Sequence, residues 1–409
     1  MSTKSRAYSL FVLLRNNVIA AGLSYLLTIY LANKLGPAGF GAYSLALLVA
    51  SVGSIVIAMG TDQTAPLRLA SGGERDLLVR DVAVLRAALF GIGAVGLLLW
   101  AIATQSPIAL YVACLLVPCL NFAFAYEINH RNERYSTIFM VERLAYVFAA
   151  FAALQVFGPR LPEVFACLFL VATASIVVQA RDFREALRGN RETFFHALRR
   201  TLAPVNFALV ALAFGLFAYG GFSRLLLERK LGIAALGVYS AGWQFVTIGT
   251  LFQNQVQRTW RVELSQAVSA GDSSALERLL RSYFFMSTLP IAAFSAALAA
   301  LAGPVVALVF RPDYASIADI LPTFAAYLVT INLAGLAEIL WVAAGKHYVY
   351  TAVHIASGLA LLAVLAVAPE DVMLRDIAAL SVASHTFAVA ALLLVWAAVP
   401  RRCEPPRVA

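Results

Sequence analysis

The sequence predicts an all-α membrane protein whose two halves are related by an internal repeat. Three observations support this class: 61% of the 409 residues are hydrophobic, only 13% are charged, and a short motif occurs twice about half a chain apart. Soluble domains carry about 25% charged residues, so part of the solvent around this chain must be lipid. The apolar runs do not alternate with polar residues as membrane strands do, which indicates helices.

Apolar runs separated by polar breaks predict twelve membrane-spanning helices, each long enough to cross a hydrocarbon core, which takes about 20 residues. The predicted spans are 9–33, 40–60, 80–104, 107–128, 136–158, 163–181, 203–229, 235–257, 282–310, 316–344, 348–368 and 374–399. The basic start of the chain is typical of a signal peptide. However, Arg15, Asn16 and Asn17 interrupt the apolar stretch and no small-residue cleavage site follows, so 9–33 is kept as the first span.

Lysine and arginine residues fall unevenly on the two sides of these spans. With the N-terminus in the cytoplasm, the inner segments hold 21 of the 31 basic residues and the outer segments hold 7. Cytoplasmic loops of membrane proteins carry the excess of basic residues, so both termini are predicted to be cytoplasmic. This anchoring explains the net charge of +9 and requires no nucleic acid partner. The four cysteines show neither metal-ligand spacing nor a disulfide framework.

A long basic segment divides the chain into two halves. It reads RDFREALRGNRETFFHALRR and covers 181–200. We predict a six-helix bundle at 1–180, a cytoplasmic linker at 181–202 and a second six-helix bundle at 203–409. An even number of spans in each half places both repeats the same way up, related by an axis along the membrane normal.

The repeat is clearest in LGPAGFGAYS at 35–44 and LGIAALGVYS at 231–240, at an offset of 231 − 35 = 196 residues. Both copies are predicted to be outer-side turns between the first two spans of a half. Gly36 or Gly232 can end one helix in a left-handed conformation, and Pro37 limits where the next helix starts. Together with Gly41 and Gly237, these glycines are predicted to relax a hinge or to allow close helix approach.

Several segments resemble the bacterial oligosaccharide flippases of polysaccharide biosynthesis, within the multidrug/oligosaccharidyl-lipid/polysaccharide exporter superfamily. They are NKLGPAGFGAYSLALLVASVGS, SRLLLERKLGIAALGVYSAGWQF, Gly60 followed by Arg68, GD at 271–272 followed by LERLLRS, and FRPDYASIADIL at 310–321. The resemblance covers the whole chain. Two departures bear on ion coupling and substrate type: Ser223-Arg224 stands where the family often has Asp-Arg, and QRTWRVELSQ lacks a common proline.

The resemblance implies two six-helix bundles in a V around a central cavity. It also implies that an undecaprenyl-pyrophosphate-linked glycan moves from the inner to the outer leaflet of the bacterial inner membrane, for synthesis of a surface polysaccharide. A polysaccharide polymerase or glycosyltransferases are candidate partners beside the glycan lipid and the bilayer.

A carrier of pyrophosphate needs cationic groups in a wet cavity, because charged groups lose their hydration in hydrocarbon. Arginine suits this role, since its planar fork pairs with phosphate oxygens. Arg15, Arg86 and Arg143 each lie roughly six or seven residues inside a span of the first half, about 10 Å deep. They are predicted to form a basic vestibule on the cytoplasmic side; the alternative is snorkelling to the headgroups. In the second half, Arg224 and Arg258 are candidates for the same phosphate-binding role; the alternative is that they anchor the helices at the membrane interface.

Three polar residues of the first span, Asn17, Ser24 and Thr28, fall on one helical face. They are predicted to line the cavity and bind sugars, or to pack helices through small polar groups. Arg15 points about 160° away from Asn17, so one of the two does not face the cavity.

A coupled ion, H⁺ or Na⁺, would need an intramembrane carboxylate. Glu338 is the first candidate and Glu142 the second; the alternative for Glu338 is an interhelical hydrogen bond. His354 and His385 are similarly placed in the last two spans, and for each a structural role is favoured. Gln244 and Gln253 are further candidates to line the cavity. No metal site or other cofactor is predicted, and no glycine-rich nucleotide-binding loop is visible.

Two other classes stay open. A cation-coupled multidrug exporter of the same superfamily should carry a cavity dominated by acidic residues, whereas the candidate charges here are arginines. A membrane-embedded polysaccharide polymerase or ligase usually needs a large outer loop or a catalytic constellation, and every predicted outer loop is short. The repeat favours alternating access over a single catalytic site, so a transporter and not an enzyme is predicted.

Overall fold

The computed structural model of the chain describes residues 3–70, 74–188, 194–369 and 372–398. These residues form eighteen α-helices and contain no β-strand, which confirms the all-α class. The helices of the first half are α1 Thr3–Ala58, α2 Thr61–Ala70, α3 Arg75–Thr104, α4 Ile108–Leu116, α5 Ala123–Ile128, α6 Asn132–Val156, α7 Leu161–Asp182, α8 Arg184–Arg188 and α9 Phe194–Thr201. Those of the second half are α10 Pro204–Phe217, α11 Ser223–Leu231, α12 Ile233–Ala270, α13 Ser273–Tyr283, α14 Leu289–Ala300, α15 Ala302–Val309, α16 Ile317–Ala343, α17 His347–Val367 and α18 Leu374–Ala398.

Ten helical stretches of the described residues are long and apolar enough to cross a membrane. One of them, Arg15–Pro66, covers most of the first predicted span and all of the second. The predicted eighth span lies on α12, which is not among the ten, and these two differences account for the change from twelve. The predicted ninth span is divided, because α14 ends at Ala300 and a separate helix, α15, follows.

The chain forms two compact units. The first comprises Met1–Leu35 and Ala42–Val210, and the second comprises Gly36–Gly41 and Ala211–Ala409. The described part of the basic segment lies inside the first unit, where α8 and α9 pack against α3. In the second unit α16 is the central helix: it is buried along most of its length and packs against α12, α14, α17 and α18.

The repeated motif forms the same turn twice. Gly36 has φ 68° and ψ 175°, and Gly232 has φ 84° and ψ 174°. This combination is essentially restricted to glycine. Its ψ is extended, so the turn differs from the left-handed helical ending that the sequence predicted. Pro37 stands at the start of the following helical segment, where its fixed φ suits a first helical position.

The two copies of the motif pack against each other within the second unit. A Cβ atom on Gly41 would overlap the carbonyl oxygen of Ile233, and a Cβ atom on Gly237 would overlap the carbonyl oxygen of Pro37. Pro37 and Ile233 are themselves equivalent, since 37 + 196 = 233. The contact is therefore reciprocal, and these two glycines permit a backbone-to-backbone approach of the kind found between membrane helices.

Candidate functional site

Arg86 is buried in the first unit and its guanidinium is surrounded by protein partners. Its Nε and Nη2 donate to Thr61 Oγ1 at 3.0 and 2.7 Å, and Nη2 also donates to Asp62 at 2.6 Å. Its Nη1 donates to the carbonyl of Asn121 at 3.3 Å, and Phe124 lies 4.9 Å below the guanidinium. Only 2% of the side chain is exposed. The structure thus gives Arg86 a structural position instead of the predicted place in a vestibule, because Thr61 and Asp62 occupy the donors that a pyrophosphate would need.

We expect Arg86→Ala to lower the free energy of unfolding by about 3 kcal/mol, since it empties a buried site and leaves polar groups unpaired. The melting temperature of the purified protein in detergent measures this loss. The matched control is Arg281→Ala, whose side chain is 74% exposed and pairs with Glu277 on the same helix. That exposed pair should contribute less than about 1 kcal/mol. Equal melting temperatures for the two variants would contradict the structural position given to Arg86.

Arg15 is exposed, in contrast to Arg86. Its Nε and Nη2 donate to Asn16 Oδ1 at 3.2 and 3.1 Å. Asn16 is itself fully buried, and its Nδ2 donates to Thr137 Oγ1 of α6 at 3.3 Å. Asn16 was not among the predicted site residues, yet it accepts from the arginine and connects α1 to α6. The only sequence signal for it is its place beside Arg15 in an apolar run.

Arg143 is half-buried on α6, with its guanidinium 4.9 Å from the centroid of the Phe139 ring. Thr137 and Arg143 are six residues apart on this helix, a rise of about 9 Å. Because Asn16 lies beside Thr137, Arg143 is displaced along the helix from Arg15 and does not share one level with it. Neither Arg15 nor Arg143 forms an ion pair with any carboxylate that the structure describes.

The polar residues of α1 are only partly satisfied by the helix itself. Asn17, Ser24 and Thr28 are all half-buried. Ser24 donates to the carbonyl of Ala20, and Thr28 donates to the carbonyl of Ser24, both at 2.8 Å. The two hydroxyl protons are therefore used, while the oxygen lone pairs remain as acceptors for a ligand hydroxyl.

Arg224 is the corresponding basic group of the second unit. It is half-buried on α11, its Nε donates to the carbonyl of Gly220, and its guanidinium lies 5.0 Å from the centroid of the Trp243 ring. Trp243 in turn contacts Phe324 and Tyr327 of α16. Within the described ranges no carboxylate pairs with Arg224, so its charge rests on an aromatic face and is not neutralised. The side chain of Arg258 lies outside the described residues.

The two predicted ion-binding carboxylates differ in their surroundings. Glu338 accepts from Arg261 Nη2 at 3.4 Å, and the two side chains are 39% and 54% exposed. A cation would have to displace this arginine. Glu142 is half-buried. The predicted lining residues Gln244 and Gln253 lie on α12, where Gln244 donates to the Ser240 carbonyl at 3.4 Å and Gln253 is 1% exposed.

The fold is that of a helical membrane protein with many spans, and it carries cationic side chains on those spans. The sequence profile of one family, described as "Polysaccharide biosynthesis protein", matches residues 8–257. The chain belongs to this polysaccharide biosynthesis protein family, as the resemblance of its motifs indicated. No curated protein sequence matches it.

Similar solved structures cover nearly the whole chain. An inward-facing multidrug resistance MATE family transporter of the MOP superfamily has a TM-score of 0.68 at 14% identity, over 95% of this chain and 97% of that one. The lipid II flippase MurJ, in an inward closed conformation, has a TM-score of 0.68 at 10% identity, over 95% and 87%. A MOP superfamily transporter from Pyrococcus furiosus has a TM-score of 0.59 at 14% identity, over 95% of both chains. At these identities the likeness establishes the MOP superfamily fold.

Proposed function

We propose that this protein flips an undecaprenyl-pyrophosphate-linked oligosaccharide from the cytoplasmic to the periplasmic leaflet, by alternating access, for surface polysaccharide biosynthesis. The observation that carries the proposal is the set of arginines within or at the start of the spans that have no described carboxylate partner: Arg15, Arg143 and Arg224. In this proposal the chain lies in the bacterial inner membrane with both termini cytoplasmic.

The physical reason is the charge of the cargo. The polyprenyl tail can stay in lipid, but the pyrophosphate and sugars need a polar route, because charged groups in hydrocarbon lose their hydration. Arginine keeps its charge when partly buried and pairs with two phosphate oxygens at once. The half-buried lone pairs of Ser24 and Thr28 supply acceptors for sugar hydroxyls. Family membership supports a role in polysaccharide synthesis.

The fold alone does not choose between cargo classes, since the MATE transporter and the lipid II flippase reach the same TM-score of 0.68. Charge does discriminate. Of the two predicted ion-binding carboxylates, Glu338 is paired with Arg261, and the half-buried Glu142 is followed directly by the arginine Arg143. The unpaired arginines favour an anionic cargo instead.

The test is a lipid extraction from a strain that lacks the gene, with the leaflet of each glycan lipid assigned by a membrane-impermeant lectin applied to spheroplasts. We expect a polyprenyl-pyrophosphate-linked glycan to accumulate on the cytoplasmic leaflet, and the wild-type gene to reverse this. Accumulation of single units on the outer leaflet would indicate a polymerase or ligase. No accumulation, together with new sensitivity to cationic drugs, would indicate a drug exporter.

A further inference from the structure

Two histidines are buried against each other in the membrane-spanning part of the second unit. His354 on α17 and His385 on α18 are 0% and 5% exposed, and their ring centroids are 5.3 Å apart. A hydrogen bond between Ser357 of α17 and Ser384 of α18 joins the same two helices, with 3.0 Å between the hydroxyl oxygens. Ser357 lies one helical turn after His354, and Ser384 directly precedes His385. His354 is the eighth residue of the span His347–Val367, and His385 is the twelfth of Leu374–Ala398, so the pair lies well inside the membrane.

Each imidazole has one partnered nitrogen and one free nitrogen. The Nδ1 of His354 is 3.3 Å from the Tyr219 hydroxyl, and the Nδ1 of His385 is 2.8 Å from the Tyr327 hydroxyl. The Nε2 atoms of both rings have no hydrogen-bond partner among the described residues. A neutral imidazole carries one protonated and one bare nitrogen in either tautomer. Buried polar atoms are normally satisfied, so two free ring nitrogens in one cluster call for an explanation.

A π-helical turn, Ala218–Phe222, supplies one wall of this cluster. Its Tyr219 stacks on His385, with ring centroids 4.3 Å apart and an interplanar angle of 7°. Single π-helical turns inside α-helices occur frequently at functional sites. The turn therefore adds a backbone irregularity to the two unsatisfied rings at the same place.

The groups that face the pair are tyrosines. Tyr219 comes from the π-helical turn, Tyr327 from α16, and Tyr350 from α17, with its ring centroid 4.4 Å from that of His354. None of the described carboxylates hydrogen-bonds to either imidazole.

The nearest charged and titratable groups lie beyond these tyrosines. Arg224 and Tyr239 act electrostatically on Tyr327, and Glu338 and Arg261 act on Tyr350. A proton on either ring is thus not fixed in place by a neighbouring anion. Two imidazolium charges this close would repel each other, so the pair accommodates one proton at a time.

We propose that the His354–His385 pair is the proton-binding site that couples transport to a transmembrane proton gradient. This inference rests on the proposed transport function. One proton adds to the bare ring nitrogen while the pocket is open to water on one side, which gives a single imidazolium. The same proton returns to water on the other side after the conformational change, and no other bond forms or breaks. Histidine is suited to this step because an imidazole in contact with water changes its charge near neutral pH, whereas burial of the ring favours release of the proton.

The first experiment measures gradient-stimulated flipping. The full chain is reconstituted in proteoliposomes with a fluorescent polyprenyl-pyrophosphate disaccharide, and the rate with a gradient of two pH units is divided by the rate without one. We expect a ratio of at least fivefold for the wild type and a ratio near one for His354→Gln and His385→Gln. His347→Gln, an exposed histidine at the start of α17, is the matched control and should keep the wild-type ratio. Wild-type ratios in both pair variants, or a wild-type ratio of one, would overturn the proton site.

The second experiment is independent of the cargo. The chain has only five histidines, so the imidazole ¹⁵N resonances of the full-length labelled protein in nanodiscs can be assigned by substituting each in turn. Between pH 8 and pH 4 we expect the pair to take up one proton, and removal of one ring to move the titration midpoint of the other by at least half a pH unit. Two rings that stay neutral throughout would refute the inference. If the wild type does not move the lipid at all, the proposed function fails, and this titration alone decides the proton site.

Discussion

Alanine at Gly41 or Gly237 is expected to lower the free energy of unfolding by about 3 kcal/mol. Each added Cβ atom would overlap a backbone carbonyl, of Ile233 or Pro37, which cannot rotate away as a flexible side chain can. The melting temperature of the purified protein in detergent measures the effect. Gly22→Ala is the matched control, because Gly22 lies on α1 with no atom within 4 Å of its added Cβ.

Because the contact is reciprocal, a double variant tests it more stringently than the single variants do. Because both substitutions push the same two backbone segments apart, the double variant should lose less stability than the sum of the single variants. Additive losses, or single variants that melt together with Gly22→Ala, would contradict the contact. Gly36→Ala and Gly232→Ala have open space around the new Cβ atom, so they should lose only the strain of a positive φ, of the order of 1–3 kcal/mol.

Removal of the membrane-embedded arginines is expected to have the largest effect on transport. Arg143→Ala and Arg224→Ala should each reduce the flipping rate about 10- to 100-fold, which corresponds to the loss of a hydrogen bond to a charged group. Lysine should rescue each only in part, because an ammonium group lacks the planar fork that binds two phosphate oxygens. Flipping of the fluorescent polyprenyl-pyrophosphate disaccharide in proteoliposomes gives the rates.

Arg281→Ala serves as the control for this series, since it removes an exposed charge that pairs with Glu277. It should keep the wild-type rate. Arg15→Ala should reduce transport less than Arg143→Ala, because Arg15 is exposed and already donates to Asn16. Wild-type rates in both Arg143→Ala and Arg224→Ala would remove the arginines from the proposed transport path.

The fold class, most of the spans and the positions of the repeated turn could be predicted because their signals lie in the sequence itself. An apolar run of sufficient length, or a glycine that recurs at the offset of 196 residues, can be recognised without knowledge of its neighbours. Which face of a span is buried could not be predicted in the same way. Leu26 is 62% exposed and the adjacent Leu27 is 5% exposed. Lipid accepts leucine as readily as a protein core does, so hydrophobic periodicity carries little information inside a membrane.

The candidate site shows the same limit. Arg86 looked equivalent to Arg143 because both are single arginines at a similar distance from the start of a span. The difference lies in Thr61 and Asp62, which reach Arg86 from α2, about two dozen residues earlier in the chain. Trp243 beneath Arg224 and the two tyrosines beside the histidines are likewise brought in from other helices. Charges in a span can be located from the sequence, but their partners depend on tertiary contacts.

The place of Gly36–Gly41 in the second unit has a consequence for the order in which the protein is made. These residues leave the ribosome early, whereas their partners at 232–237 follow 196 residues later. At about 5–20 residues per second, this is a delay of about 10–40 s. During that time Gly41 lacks the backbone segment at Ile233 and Gly237 against which it packs in the folded protein. The second unit is therefore completed by a segment that is synthesised early. If the two halves were expressed as separate polypeptides, they would have to associate before the second unit could fold completely.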